Sequence, residues 1–342
     1  MTDGSAQNAT RPTLRARITA GVLKVAIRIL GGAPAPLAYL LADLCAIPLW
    51  VVWSLQDRAG RRSRGYWRNV RIAYREGGLA PRRPRGHLWR AARHTTWLGI
   101  DCCRLPRITP ENMPSIVDAH EFEQLRDLHA EGKGIVFVTG HVGVWDVAGY
   151  MPTMFDIPVT SVFRPSPVPG IDKLLTELRS GSGQTVVAKK NVIWTLRRAL
   201  GRGDGIGILC DSATRYAEHH PPFLGTAAAT ISTPALLSLA TGAPVVVATA
   251  QRKARFRFKL RVWDIIRHEP TQDRQTDTLA ILTRINAGLT RAVTEDPEQW
   301  LWQSRRFKRR PPGETPGKDG LPPLAADSSP TLHQEAPGDS WS

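Results

Sequence analysis

The sequence predicts an α/β fold, with a central, mostly parallel sheet flanked by helices and a helical segment at the N-terminus. Two observations predict it. Short apolar, β-branched runs bounded by turn residues alternate with helical stretches through the middle of the 342-residue chain, as in repeated strand-helix units. A long apolar stretch lies near the N-terminus and a strongly basic one follows it, which sets that region apart from the alternating core.

The N-terminal region has two apolar segments. Residues 16–30 have apolar residues at helical spacing among arginines and lysine, which predicts an amphipathic helix on a membrane. Residues 37–55 are the most apolar stretch of the chain, although they include Asp43 and Pro48. Their length is borderline for a bilayer span, which needs roughly 20 apolar residues. The pattern predicts a membrane-associated helical segment and leaves open whether it spans or lies on the membrane.

The segment at 58–93 is rich in arginine, and Glu76 stands almost alone against that charge. Basic residues directly after an apolar segment are typical of a cytoplasmic membrane interface. The chain's net charge of +16 also favours anionic partners. Tryptophans suit such a boundary, and here they are Trp50, Trp53, Trp67, Trp89 and Trp97. A core helix followed by a solvated basic helix pair is the alternative interpretation.

The predicted core consists of alternating strands and helices. The strands are predicted at 135–139, 159–163, 185–188, 206–210 and 245–250, with an edge strand at 256–262; the helices are predicted at 121–131, 172–179, 192–200, after Thr233-Pro234, and at 277–294. Three regions follow: residues 1–57 as a tail and membrane-associated helices, 58–311 as the α/β domain with its basic helical start, and 312–342 as a disordered tail.

His141 is the candidate for catalysis. It follows the strand predicted at 135–139, lies directly after Gly140, and is followed five positions later by Asp146. If a helix begins near Val142, the Asp146 carboxylate can reach one imidazole nitrogen, which makes the ring a general base. Backbone N–H groups at that helix start are expected to stabilise an oxyanion. A structural histidine is the alternative, but the position after a strand, where ligands bind in open α/β sheets, favours catalysis.

Seven short segments between about residues 64 and 311 match, in order, the motifs of one known superfamily. They are Arg68-Asn69-Val70, residues 140–146, Phe163-Arg164-Pro165, Leu178-Arg179-Ser180, residues 205–211, Phe223-Leu224-Gly225 with Thr230 and Pro234, and residues 297–302 followed by 305–311. A single segment is weak evidence for membership of a family, but seven segments in the family's order are specific evidence. The chain resembles the lysophospholipid acyltransferase superfamily, and most closely its branch of bacterial lipid A late acyltransferases, which includes the related mannoside acyltransferases.

The resemblance implies transfer of a fatty acyl chain from acyl carrier protein (acyl-ACP) or coenzyme A (acyl-CoA) to a hydroxyl of a glycolipid or lysolipid. It implies the cytoplasmic face of the bacterial inner membrane as the location. His141 would be the base and Asp146 its orienting partner. The residues implied to bind substrate are Arg164, Arg179 and Asp211, as a polar wall around a headgroup or donor phosphate, together with Gly225 and Thr230. A surface ion pair is the alternative role for either arginine.

The sequence departs from the lipid A branch at three positions. Asp146 stands where glutamate is usual, Ser212 where glutamine is common, and Ser304 where histidine is typical. These departures leave the acceptor open between a lipid A precursor, a phosphatidylinositol mannoside and a lysophospholipid.

Other chemistries have little support. Gly181-Ser182-Gly183 lacks the spacing of a serine-hydrolase nucleophile motif, and His219-His220 has no partner at zinc-ligand spacing. We therefore expect no metal and no cofactor beyond the thioester co-substrate. The alternative from another class is a non-catalytic, basic, tryptophan-rich protein that binds membrane or nucleic acid. The chain has no recognisable nucleic-acid-binding pattern, so we expect no nucleic-acid partner.

Overall fold

The computed structural model describes residues 14–58, 65–75, 86–163, 171–181, 183–188, 192–214, 217–271, 273–317 and 320–325. Its helices are α1 (Leu14–Gly32), α2 (Ala35–Arg58), α3 (Tyr66–Ala73), α4 (His87–Arg104), α5 (Met113–Ile116), α6 (Gln124–Ala130), α7 (Trp145–Tyr150), α8 (Ile171–Ser180), α9 (Ile193–Gly201), α10 (Thr233–Thr241) and α11 (Arg274–Glu295). Its strands are β1 (Val117–Asp118), β2 (Ile135–Thr139), β3 (Val159–Phe163), β4 (Thr185–Ala188), β5 (Gly205–Leu209), β6 (Pro222–Phe223), β7 (Thr226–Ala227), β8 (Val245–Ala254) and β9 (Arg257–Ile266).

Within the described residues, a seven-stranded sheet organises the protein, in the order β1-β9-β8-β2-β5-β3-β4. Strands β8, β2, β5, β3 and β4 pair in parallel, whereas β9 pairs antiparallel with β8. The predicted α/β fold with a mostly parallel, helix-flanked sheet is therefore confirmed. Because the parallel strands point the same way, their carboxyl ends form a single edge, which we call the carboxyl edge of the sheet.

Two details of the predicted core differ. The strand predicted at 256–262 is not an edge strand, because β1 pairs with β9 through Val117 and Phe258. A two-residue strand is too short to produce a periodic signal in the sequence. The helix predicted at 121–131 divides into a 3-10 turn at His120–Phe122 and α6.

The sheet separates two hydrophobic cores. Along β2, Val136 and Val138 belong to the core that also contains residues of α9, α10 and α11. Ile135 and Phe137 belong to the opposite core, with residues of α6 and α7. Alternate strand residues point to opposite faces, so a strand covered by helices on both sides is apolar throughout.

Helix α2 packs one side against the protein and exposes the other. Ala38, Tyr39 and Ala42 are buried. The outward side carries large apolar residues, which are Leu37, Leu40, Leu41, Leu44, Ile47, Trp50, Val51, Val52 and Leu55. Among the described residues, one helical stretch, Ala35–Gln56, is long and apolar enough to cross a membrane, with a mean hydropathy of 1.8. We call its exposed side the α2 apolar face.

The basic segment contributes more to the core than its charge suggested. In α3, Tyr66, Trp67 and Val70 are buried. Trp53 and Trp97 are also buried, so with Trp67 three of the five tryptophans expected at a membrane boundary pack inside the protein instead. Trp50 is exposed and packs edge-on against Trp89. The arginines at 59–64 and 82–85 lie outside the described residues, and the structure does not describe the side chain of Arg58.

A buried polar network joins the N-terminal helices to the sheet. Asp101 of α4 accepts hydrogen bonds from Tyr39 of α2 and from Arg252, near the end of β8, whose Nε lies 2.8 Å away. Arg252 also donates to Nδ1 of His94 over 2.6 Å. Burial and then the Arg252 charge lower the pKa of His94 well below its usual value, so the ring is neutral and can accept. This network fastens α2 and α4 at the carboxyl edge.

The first part of the predicted tail contacts the α/β domain. Leu321 is buried, and Arg310 forms a two-fold ion pair with Glu314. The backbone N–H of Ala325 donates to the carbonyl of Gly225 over 3.0 Å. Residues 312–317 and 320–325 thus contact the domain in the structure, and the disorder predicted for 312–342 as a whole stays a prediction. One buried leucine and backbone hydrogen bonds were not visible in a composition rich in Pro and Gly. Residues 326–342 lie outside the described part.

We expect Asp101→Ala to lower the free energy of unfolding by about 3–5 kcal/mol, because it leaves the buried Arg252 guanidinium without its counter-charge. Chemical denaturation measures the loss. Asp264→Ala is the matched control, since its pair with Arg284 is exposed and should contribute less than about 1 kcal/mol. Equal losses of unfolding free energy in the two variants would show that the buried network stabilises the fold no more than an exposed ion pair does.

Candidate active site

His141 and Asp211 meet at the carboxyl edge because β2 and β5 are neighbours. The two strands pair in parallel, and Thr139 lies opposite Leu209 in the register. The residues that follow both strands therefore emerge side by side. Nδ1 of His141 lies 2.7 Å from Oδ1 of Asp211, and the backbone N–H of His141 donates to Oδ2 over 2.8 Å.

Asp211 is a fully buried carboxylate with several donors. Besides His141, Nε1 of Trp300 donates to its Oδ2 over 3.0 Å. Burial alone would raise the pKa of Asp211, but the charge and hydrogen bonds of His141 and the Trp300 bond outweigh it. The pKa of Asp211 falls to about 2. The side chain is therefore ionised at neutral pH and holds the imidazole in one orientation.

His141 has the properties of a general base. Its side chain remains 24% exposed, and the Trp145 ring packs edge-on against the imidazole at 5.0 Å between centroids. Burial alone would lower the pKa of His141, yet the charge and hydrogen bond of Asp211 outweigh it and raise the pKa above its usual value. With Nδ1–H donating to the carboxylate, Nε2 carries the lone pair that can accept a proton.

Asp146 lies elsewhere than predicted. Its Oδ1 accepts a hydrogen bond from Nε of Arg179, on α8, over 2.7 Å. The prediction that Asp146 orients the imidazole is corrected, because Asp211 has that position. The physical reason is that α7 begins at Trp145, so the chain between His141 and Asp146 is a loop and brings no helical i, i+4 contact. Asp146 still contributes a smaller electrostatic effect that raises the pKa of His141.

The loop at 140–144 is held by its backbone. The N–H of Gly143 donates to the Gln299 carbonyl over 2.9 Å, and the N–H of Val144 donates to the Ala250 carbonyl over 2.6 Å. The N–H of His141 is bonded to Asp211. These three groups have partners within the protein, so the predicted use of the loop N–H groups as an oxyanion site is wrong for them.

A cavity of about 470 Å³ opens beside the pair. His141, Asp146 and Arg179 are among its polar lining residues. Most of the remaining lining is apolar, and includes Phe137, Val138, Val159, Val162, Val186, Ile208, Leu209 and Ile231. Ser161 and Gln184 also line it and are hydrogen-bonded to each other over 2.7 Å. A largely apolar cavity with a few converging polar groups is typical of a small-molecule site.

The remaining predicted binding residues are not brought to this cavity. Thr230 is fully buried, and its hydroxyl donates to the Ala228 carbonyl and accepts from Arg306. Gly225 lies in the turn between β6 and β7 and its carbonyl accepts from Ala325. Both are absent from the lining of this cavity, and their predicted role in binding substrate stays a prediction. Arg164 lies outside the described residues.

Sequence reasoning missed two contributors to the site. Trp300 donates to the buried carboxylate, and the Gln299 side chain bonds both the N–H and the carbonyl of Arg252. Both belong to the segment at 297–302, which is part of one of the seven segments that match the superfamily's motifs, but nothing in a single sequence indicated which strand end it would cover. Among the described residues, no group of three or more His, Cys, Asp or Glu side chains could hold a metal ion.

We expect Gly143→Ala to destabilise the protein strongly and displace His141. Gly143 has φ of 64°, and a Cβ there would lie 2.1 Å from the Ala250 carbonyl oxygen. Gly132→Ala is the matched control, since Gly132 has φ of 73° and open space around the added Cβ. The control should lose only the about 1–2 kcal/mol of the left-handed conformation. Thermal unfolding of both variants measures the difference in stability. Equal losses of stability would show that the clash with the Ala250 carbonyl oxygen does not destabilise Gly143→Ala.

Three curated proteins with related sequences are informative. The lipid A biosynthesis lauroyltransferase of Escherichia coli (strain K12) is 28% identical over 194 residues, which cover 56% of this chain and 61% of that protein. The lipid A biosynthesis palmitoleoyltransferase of the same strain is 24% identical over 201 residues, covering 58% and 63%. A lipid A biosynthesis acyltransferase of Haemophilus influenzae is 26% identical over 194 residues, covering 56% and 59%. The chain thus spans about three fifths of the length of these relatives.

A family model agrees with these relatives. It describes the bacterial lipid A biosynthesis acyltransferases and matches residues 94–309, which is more than half of the chain. The matched region begins within α4 and contains α5 to α11, the His141–Asp211 pair and the segment at 297–302. On this match, the chain belongs to the bacterial lipid A biosynthesis acyltransferase family.

Proposed function

We propose that this protein is a membrane-associated O-acyltransferase. It would transfer a fatty acyl group from a thioester, acyl-ACP or acyl-CoA, to a hydroxyl of a glycolipid similar to a lipid A precursor. The observation that carries the proposal is the His141–Asp211 pair beside a largely apolar cavity. A base able to activate a hydroxyl and a site able to take an alkyl chain are the two requirements of this reaction.

His141 acts as the general base in the proposed mechanism. Nε2 takes the proton of the acceptor hydroxyl while the hydroxyl oxygen attacks the thioester carbonyl carbon. The C–S bond then breaks, the new ester remains on the acceptor, and the imidazolium returns its proton to the leaving thiolate. Asp211 stays ionised throughout and stabilises the imidazolium. Asp146 takes part indirectly, by holding Arg179 in the cavity wall.

The cavity suits an acyl chain. Its volume of about 470 Å³ lies within the roughly 300–1,000 Å³ of ordinary ligand sites. Arg179 lies in the lining as the ion-pair partner of Asp146, so the pair brings a charged polar group to the cavity, and a guanidinium is suited to donate hydrogen bonds to a phosphate of the donor or acceptor. Charge and apolar surface in one cavity suit a substrate with a phosphate and an alkyl chain.

The names of the relatives favour a lipid A precursor as the acceptor. A phosphatidylinositol mannoside or a lysophospholipid is the alternative, because Ser212 lines the cavity where glutamine is common in the lipid A branch. The proposed location is the cytoplasmic side of the bacterial inner membrane. The α2 apolar face supports contact with a membrane, and the net charge of +16 suits an anionic one.

We expect cells that lack this protein to lose one acyl chain from a glycolipid, and His141→Ala to fail to restore it. Loss of a general base lowers the rate by about 100- to 10,000-fold. Mass spectrometry of lipid extracts measures the chain and identifies the acceptor. His120→Ala is the control, because that side chain is 86% exposed and lies outside the cavity lining, so it should restore the lipid. Restoration by His141→Ala would reject the mechanism.

We expect Asp211→Asn to lower kcat by about 100-fold or more, because the amide neither fixes the tautomer nor stabilises the imidazolium. The pH profile should change as well. Asp211 raises the pKa of His141, so the neutral base is lost as pH falls through a raised value. Without that charge, burial lowers the pKa, and the acidic limb of the profile should move to lower pH. Asp264→Asn is the control, and its acidic limb should stay in place. An acidic limb that also stays in place in Asp211→Asn would contradict the electrostatic coupling of Asp211 to His141.

A further inference from the structure

Helix α9 begins with two exposed apolar side chains. Trp194 is 72% exposed and Ile193 is 48% exposed. The rest of the helix behaves as an ordinary amphipathic element, with Leu196, Ala199 and Leu200 buried against the sheet. A tryptophan this exposed buries little of its ring against the protein, so the fold does not account for its presence at the helix start.

The start of α9 lies at the carboxyl edge of the sheet. Strand β4 ends at Ala188, and α9 begins five residues later. The other end of α9 lies at the opposite edge, where the Leu200 backbone is close to Gly134, just before β2. Because His141 and Asp211 follow the carboxyl ends of β2 and β5, the exposed pair is at the same edge as the active site.

Basic side chains accompany the exposed pair. The Arg197 guanidinium lies 5.9 Å from the centroid of the Trp194 ring, and Arg198 is also exposed. We call Ile193, Trp194, Arg197 and Arg198 the α9 tip. This combination of an indole, an alkyl group and two arginines suits the headgroup region of a membrane. There the apolar groups lie at the boundary with the acyl chains, and the guanidinium groups bind lipid phosphates.

The α2 apolar face flanks the active site on its other side. Helices α2 and α4 are fastened to Arg252, near the carboxyl end of β8. In the sheet order, β8 precedes β2 and β5, whereas β4 lies beyond them. The α2 apolar face and the α9 tip are thus attached to strands on either side of the His141 position.

We propose that the α9 tip is a second membrane-contact site, which inserts Ile193 and Trp194 into an anionic bilayer while Arg197 and Arg198 bind lipid phosphates. With the α2 apolar face as the first contact, the carboxyl edge turns toward the lipid. The benefit to catalysis rests on the proposed function, since an edge held against the bilayer receives a lipid acceptor without its leaving the membrane. The binding itself requires no acyl transfer.

The main test measures partition of the full-length protein onto vesicles of phosphatidylethanolamine and phosphatidylglycerol by flotation. The double variant Ile193→Ser/Trp194→Ser should partition at least about tenfold more weakly, because two apolar side chains no longer enter the bilayer. Leu279→Ser is the matched control, since Leu279 is 43% exposed near the start of α11, where the preceding strand β9 ends at the opposite edge of the sheet. Unchanged partition of the double variant would overturn the proposal.

A second variant keeps the test independent of folding defects. Trp194→Phe preserves an aromatic side chain, and vesicles with brominated acyl chains quench inserted tryptophans. The wild type should be quenched more than Trp194→Phe. Equal quenching would show that Trp194 stays outside the bilayer and would overturn the proposal.

Charge reversal separates a lipid surface from an acidic carrier protein. Arg197→Glu/Arg198→Glu should weaken binding to phosphatidylglycerol vesicles and leave binding of purified acyl carrier protein unchanged in solution. The opposite result, weaker carrier binding with unchanged vesicle binding, would make the α9 tip a protein-docking site and overturn the proposal. His141→Ala should bind vesicles like the wild type, so a failure of the proposed acyl transfer is distinguishable from a failure of the membrane contact.

Discussion

Parallel pairing of β2 with β5 is the constraint on which the site depends. The register that sets Thr139 opposite Leu209 delivers His141 and Asp211 to the same point. A slip by one residue would turn the side chains of either strand to the other face. Gly140 permits the close approach, because a Cβ there would lie 3.0 Å from the Asp211 carboxyl carbon. The buried carboxylate is tolerated because N–H groups of His141 and Trp300 surround it.

The C-terminal segment and the N-terminal helices stabilise that arrangement from outside the sheet. The Leu301 N–H donates to the His141 carbonyl, and the Gln299 carbonyl accepts from Gly143. The Gln299 side chain in turn binds the backbone of Arg252, whose guanidinium holds Asp101 and His94. A continuous set of hydrogen bonds therefore links the helix that bears the α2 apolar face to the loop that bears His141. Loosening this network would disturb the proposed membrane contact and the geometry of the His141–Asp211 pair together.

The sequence was sufficient for features that leave a local signal. Apolar, β-branched runs located β2, β3, β4, β5 and β8 to within a few residues, and the position after β2 singled out His141. The partner of His141 was assigned wrongly because a five-residue spacing suggested a helical contact with Asp146, whereas the actual partner is 70 positions away. That contact arises from strand order, which no periodicity encodes. Asp211 was recognised as a site residue from the chain's resemblance to the acyltransferase superfamily. Its burial and its contact with His141 could be seen only once β5 was placed beside β2.

The geometry also bears on how transfer could be favoured over hydrolysis. A neutral imidazole accepts a proton from water as readily as from a lipid hydroxyl, so the His141–Asp211 pair cannot by itself discriminate between them. Discrimination has to come from which hydroxyl reaches Nε2. In the proposed reaction, an acyl chain in the apolar cavity that His141 lines would exclude water from the imidazole on that side. His141 follows the carboxyl end of β2, and a bilayer held against that edge, as proposed, would supply lipid hydroxyls where solvent otherwise lies. In the proposed reaction, membrane contact is therefore part of specificity as well as of localisation.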